Sequence, residues 1–197
     1  MGKKTFVVSV AAVLLIATLL TGCFEQQTME KQPQTTVMPL DTVALTLDDI
    51  PEGYEKQGEE HIQEPYTVEE GKLLAGWWML EKYEVRFLKN DYQFILHAIA
   101  RLPTVEKAHE AFNEIKTAEL EYKFTEMQPP DIGGECYLGE NTSIISNHEV
   151  TLYFLCFRTY DLIVVVLTSD SSDEDTVSYG RIVERNVENA VLKENQP

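Results

Sequence analysis

Four histidines, His61, His97, His109 and His148, are the side chains of this 197-residue chain best suited to metal binding or general acid–base work. Their spacing does not gather them. No H-x-x-H or H-E-x-x-H places two of them on one helical face, so no zinc site is expected, and no other motif implies a cofactor. Asp170, Asp173, Glu174 and Asp175 could surround calcium, yet the stretch lacks the glycine and distal glutamate of an EF-hand loop. Negative charge at a helix start accounts for these acids better. No serine sits in G-x-S-x-G and no histidine lies close in sequence to Cys136 or Cys156, so nucleophilic catalysis has no local signature. Gly133 and Gly134 lack the further glycines and the lysine of a phosphate loop and read as a tight turn.

Cys23 stands apart because of what precedes it. Lys3 and Lys4 form a positive start, and Phe6 to Leu20 give about fifteen mostly apolar residues, which suits a signal peptide and is short for a membrane span. The segment closes with Leu19, Leu20, Thr21, Gly22 and Cys23, which resembles the lipobox of prokaryotic lipoproteins. The resemblance implies a signal peptide over residues 1–22, cleavage before Cys23 and a diacylglycerol on its thiol. It places the protein at the cell membrane, lipid-anchored on the extracytoplasmic face. A single-pass helix ending in a chance cysteine is the competing reading, but a polar stretch follows Gly22 at once. N-myristoylation requires Ser or Thr at the sixth position, where this chain has Phe6.

Removing residues 1–22 takes away two lysines and no acid, moving the net charge from −17 to −19. So acidic a surface is repelled by phosphates and anionic headgroups. No nucleic-acid partner is expected, and a cationic ligand or a membrane-associated protein complex is the partner class that fits.

With Cys23 lipidated, Cys136 and Cys156 remain as an even pair outside the cytoplasm. A disulfide between them would close a loop of about twenty residues and contribute roughly 3 kcal/mol. Two buried free thiols are the alternative. Trp77 and Trp78 are adjacent, so in a strand they point to opposite sides, and one can face a ligand or partner while the other packs. Asn141, Thr142 and Ser143 form a glycosylation sequon at Asn141, of consequence in a host that glycosylates.

The elements that would position these residues begin after Cys23. Phe24 to Asp41, rich in Gln, Thr and Glu with Pro33 and Pro39, shows no periodicity and reads as a disordered tether; extended at about 3.1 Å per residue it reaches on the order of 50 Å. Residues 42–193 suit one globular α+β domain. Val43 to Leu47 reads as a short strand, residues 54–66 are polar and ambiguous, and Thr67 with Glu70 looks like the capping box of a brief helix toward Ala75. Segments 78–89 and 92–101 flank Asn90 and Asp91 as a hairpin. That register pairs Phe87 with Phe94, Val85 with Leu96 and Tyr83 with Ala98 on the core face, with Glu84 opposite His97.

Thr104 caps a predicted helix to about Tyr122, with Ala108, Ala111, Phe112, Ile115 and Ala118 on its inner side. A strand near 135–138 resumes at 142–146 and turns at Asn147 and His148. Strands 150–157 and 162–168 join across Tyr160 and Asp161, and Ile163 to Leu167, apolar on both faces, belongs at the sheet's centre. A helix over about 174–192 closes the chain.

The order Asp49, Ile50, Pro51, Glu52, Gly53, Tyr54, then Ala108 to Phe112, Ile132 and Gly133, then Phe157 and Arg158 before a tight turn and a valine run, is similar to the PsbP/Mog1-like group of secreted domains. The resemblance implies an antiparallel sheet with helices packed on it in a sandwich, and binding or accessory roles more often than catalysis. It carries no catalytic residues. The expectation is therefore a non-enzymatic binding or accessory protein. The alternative is a cell-surface hydrolase whose carboxylates are brought together by folding.

Overall fold

The computed structural model describes residues 38–69, 74 and 76–194. Seven strands form one antiparallel sheet in the order β1 (Glu55–Ile62), β4 (Glu81–Leu88), β5 (Phe94–Arg101), β9 (Leu162–Ser169), β8 (His148–Thr159), β7 (Glu135–Ile145) and β6 (Thr125–Glu126). A separate two-stranded hairpin joins β2 (Tyr66–Thr67) to β3 (Trp78–Met79). Helix α1 (Val105–Glu121) packs on one face of the sheet and α2 (Asp173–Glu194) on the other, an α+β fold.

Strand β9, with only one residue not fully buried, lies at the centre, as its continuous apolar run requires. Its neighbours turn alternate side chains to the two faces, so two cores form. On the α2 side, Tyr83, Val85, Phe87, Ile95, Ile99, Leu155 and Phe157 meet Tyr179, Val183 and Val187. Gly180 lets α2 approach closely, since a Cβ there would run into the Leu155 side chain. On the α1 side, Ala108, Ala111, Phe112 and Ile115 cover Tyr137, Phe154, Cys156, Ile163 and Leu167.

The helix starts follow from local chemistry. Thr104 Oγ1 accepts from the Lys107 N–H at 3.1 Å, and Ser172 Oγ accepts from the Asp175 N–H at 3.0 Å, with Asp173, Glu174 and Asp175 in the first turn of α2.

Several sequence expectations change. Val43 to Leu47 is not a strand: helical turns at Leu40–Thr42 and Leu47–Asp49 bracket an irregular segment whose Val43, Ala44 and Leu45 line the α2-side core. The tether expected to reach Asp41 gives way by Met38, because Met38 and Leu40 are buried in that core. Cys23, the signal segment and the tether up to residue 37 lie outside the described residues. Residues 55–62, unreadable by alternation, form the edge strand β1, most of which is exposed on both faces. Thr67 pairs with Trp78 in β2 rather than capping a helix. The hairpin register moves by one residue, to Leu88 opposite Phe94 and Val85 opposite His97, because the turn spans Lys89 to Gln93. Asn90 Oδ1 holds that wider turn by accepting from the Tyr92 and Gln93 N–H groups. The slip puts His97 in the α2-side core instead of opposite Glu84. β7 is continuous, and its two-residue turn to β8 is Ser146 and Asn147, at φ of 51° and 65°.

Candidate functional site

The loop 129–134 enters β7 through Gly133, whose φ of 64° and closeness to the Arg158 carbonyl leave no room for a side chain. That approach sets Glu135 beside Arg158 on β8, whose Nε donates to Glu135 Oε2 at 2.5 Å. From α1, His109 Nδ1 lies 2.7 Å from Glu135 Oε1, and its Nε2 lies 3.1 Å from Asn113 Nδ2 one turn on. Burial pulls the Glu135 carboxyl up, but Arg158 and His109 outweigh it and leave it below the usual carboxylate range. The guanidinium also donates to the Tyr160 carbonyl, and Tyr160 is an exposed aromatic in left-handed backbone at φ 54°. A recess of about 150 Å3 lined by Pro129 to Cys136 opens next to this cluster.

A second histidine–carboxylate pair lies at the β1–β4 edge. Glu81 Oε1 meets His61 Nε2 at 2.8 Å and the Leu40 N–H at 3.2 Å, while Arg101 Nε donates to Glu81 Oε2 at 3.3 Å and its terminal nitrogen reaches the Met38 carbonyl at 2.5 Å. This carboxylate holds the incoming chain to the sheet. In both clusters each carboxylate oxygen already accepts from a cation or a histidine. The arrangement is that of structural ion pairs rather than of an acid and base aimed at a bound substrate.

Among the expected site residues, Trp77 is half-buried in the α1-side core, its Nε1 donating to Glu114 Oε2 at 2.8 Å and Lys107 Nζ 5.7 Å from its ring. Trp78, the next residue and the first of β3, is 50% exposed. Cys136 and Cys156 form no disulfide. Cys136 is opposite Phe157 and Cys156 opposite Tyr137, one residue out of step, so the two thiols stand on opposite faces of the sheet. Burial pushes the Cys136 thiol up to about 12 and Cys156 well above its usual value, which leaves both protonated and unreactive. Asn141 sits in β7, half-buried, with its Nδ2 3.4 Å from the Tyr122 carbonyl. His148 stacks on Tyr92 at 4.2 Å between centroids, far along the sheet from His109. Among the described residues no three His, Cys, Asp or Glu side chains are grouped to hold a metal ion.

The burial of His97, expected opposite Glu84, and of Glu119 was not foreseen from the sequence. His97 is fully buried, with Nδ1 3.2 Å from the Val165 carbonyl and no partner for Nε2; burial pushes it down to about 4. Glu119 is fully buried on α1 with no partner at either carboxylate oxygen, and burial raises it to about 7. The Tyr137 hydroxyl in the same core is also buried without a partner. Helical spacing could have exposed Glu119, which lies four residues after Ile115 on the inner stripe.

No protein-family model and no curated protein matches the chain. Among solved structures, the chain is similar to the crystal structure of the extracellular domain of PknH from Mycobacterium tuberculosis, with a TM-score of 0.50 at 10% identity, over 79% of this chain and 98% of that one. At that identity the likeness is one of fold.

Proposed function

We propose that this chain is a lipid-anchored extracytoplasmic domain of PsbP/Mog1-like build that binds a partner in an accessory role and is not an enzyme. The observation that carries the reading is the apolar segment closed by Leu19 to Cys23, set ahead of a domain that keeps Trp78 exposed. Similarity to an extracellular domain supports the compartment. The filled sheet faces support binding at the rim, where two open recesses of about 150 and 320 Å3 lie; the carboxylate of Glu135 at the first is already engaged by Arg158 and His109. An exposed tryptophan on a small hairpin is the kind of anchor that partner surfaces use.

Replacing Cys23 by Ser should move the protein from the membrane to the soluble fraction, and unchanged membrane fractionation overturns the anchor. Crosslinking in native membranes, compared between the wild type and Trp78→Ala, tests the binding role. A reproducible partner that disappears in the variant supports it. Turnover of a surface polymer by the purified protein, with no partner captured, overturns it in favour of the hydrolase.

A further inference from the structure

The C-terminal end of α1 combines three features. Glu119 is fully buried with both carboxylate oxygens unpartnered. The helix then ends in a Schellman arrangement, in which the Phe124 N–H reaches the Glu119 carbonyl at 3.1 Å and the Lys123 N–H reaches the Leu120 carbonyl at 3.2 Å. Its left-handed position, usually glycine, is Lys123 at φ 68°, which stores strain at the helix end. Beyond it, Phe124 packs on Phe154 at 5.8 Å, and two-residue β6 is all of the sheet that follows β7 on this edge.

Around the Glu119 carboxyl the titratable groups are Tyr137 on β7 and Cys156 on β8, both held neutral by burial. Glu126 on β6 is exposed. Lys116, one turn earlier on α1, lies 5.6 Å from the Tyr137 ring centroid and donates to Glu126 Oε1 at 2.6 Å. Neither Glu119 oxygen accepts a hydrogen bond, so ionisation in place puts a carboxylate with no bonded donor in an apolar layer.

We propose that Glu119 is a proton-operated latch: protonated, it lies in the apolar layer and keeps Phe124 and β6 on the edge of β7; ionised, it turns to water and releases Leu120 to Glu126. The transition involves one proton lost from the carboxyl to solvent and no other chemistry. It gives the α1-side edge of the sheet a response to rising pH.

Hydrogen exchange of the full-length protein in detergent tests this, at about pH 5 and about pH 8.5, with labelling times scaled to intrinsic exchange. Protection of residues 119–127 should fall on the order of tenfold or more at the higher pH, while α2 amides hold, and Glu119→Gln should abolish the difference. Equal protection at both pH values, or a loss that persists in Glu119→Gln, overturns the latch. An infrared pH titration of the wild type gives a reading independent of any variant. A protonated-carboxyl band that persists near neutrality and vanishes above it supports the proposal, and its absence near neutrality overturns it.

Discussion

The two faces of the sheet are covered by helices of similar apolar pattern, but they bury different kinds of group. The α2 side joins Val183 and Val187 to Leu155 and Phe157 with Gly180 at the closest approach, and His97, Tyr83 and Tyr179 are buried on that side. The α1 side carries Glu119, the Tyr137 hydroxyl and the Cys156 thiol in its core. Both sides therefore hold a group that must be neutral to fit, and the two groups titrate in opposite senses. Similar helix packing can thus give one face a weakness to acid and the other a weakness to base.

The largest expected effect comes from the α2 side. Phe157→Ala, at a fully buried position, should cost about 4 kcal/mol in urea unfolding. A cost below about 1 kcal/mol would show that this face is not the tighter of the two.

Next come the buried titratable groups. Glu119 is raised from 4.5 to about 7, so the unfolded chain loses its proton first and stability falls as pH rises through that window, by about 3 kcal/mol. His97 is lowered from 6.5 to about 4, so stability falls as pH drops through that window, by a similar amount of about 3 kcal/mol. Glu119→Leu should therefore stabilise the protein at about pH 8 and add nothing through this group at about pH 4. His97→Leu should flatten the acid limb alone. Urea midpoints across pH would separate the two, and a pH dependence unchanged in both variants would remove the contrast between the faces.

Gly180→Ala sharpens the packing side of the comparison. It should cost about 1–2 kcal/mol, because the added methyl meets Leu155 in a filled core and outweighs the gain in helix propensity. Thermal unfolding would read this directly. The smallest effect belongs to Trp78→Ala, expected to change stability by less than about 0.5 kcal/mol while reducing partner crosslinking.

Much of the scaffold was legible because burial writes itself into pattern. β9 is apolar on both faces and therefore central, and Thr104 and the acids at 173–175 mark the helix starts. β1 was not legible, since most of its residues are exposed on both faces and nothing forces its side chains to alternate. Val43 to Leu45 misled for the opposite reason: buried residues need not be in a strand when an irregular segment lies against a helix. The β4–β5 register turned on whether Asn90 sat in a two-residue or a wider turn, and the side-chain hydrogen bonds that decide this are invisible in a string of letters. Glu119 was missed because a glutamate on a helix reads as surface, and Ala118 took its place on the inner face. Trp77 and Trp78 were anticipated as a pair, whereas the Glu135, His109 and Arg158 cluster draws on three elements distant in sequence.

The grip of Arg101 and Glu81 on Met38 and Leu40 also has a mechanical meaning. A pull on the chain upstream of residue 38 enters the fold at the Met38 carbonyl. From there it passes through a guanidinium and a carboxylate rooted on β5 and β4. Tension from that side is thus delivered into β4 and β5, paired strands inside the edge strand β1, and the ion pair serves as the domain's strain relief.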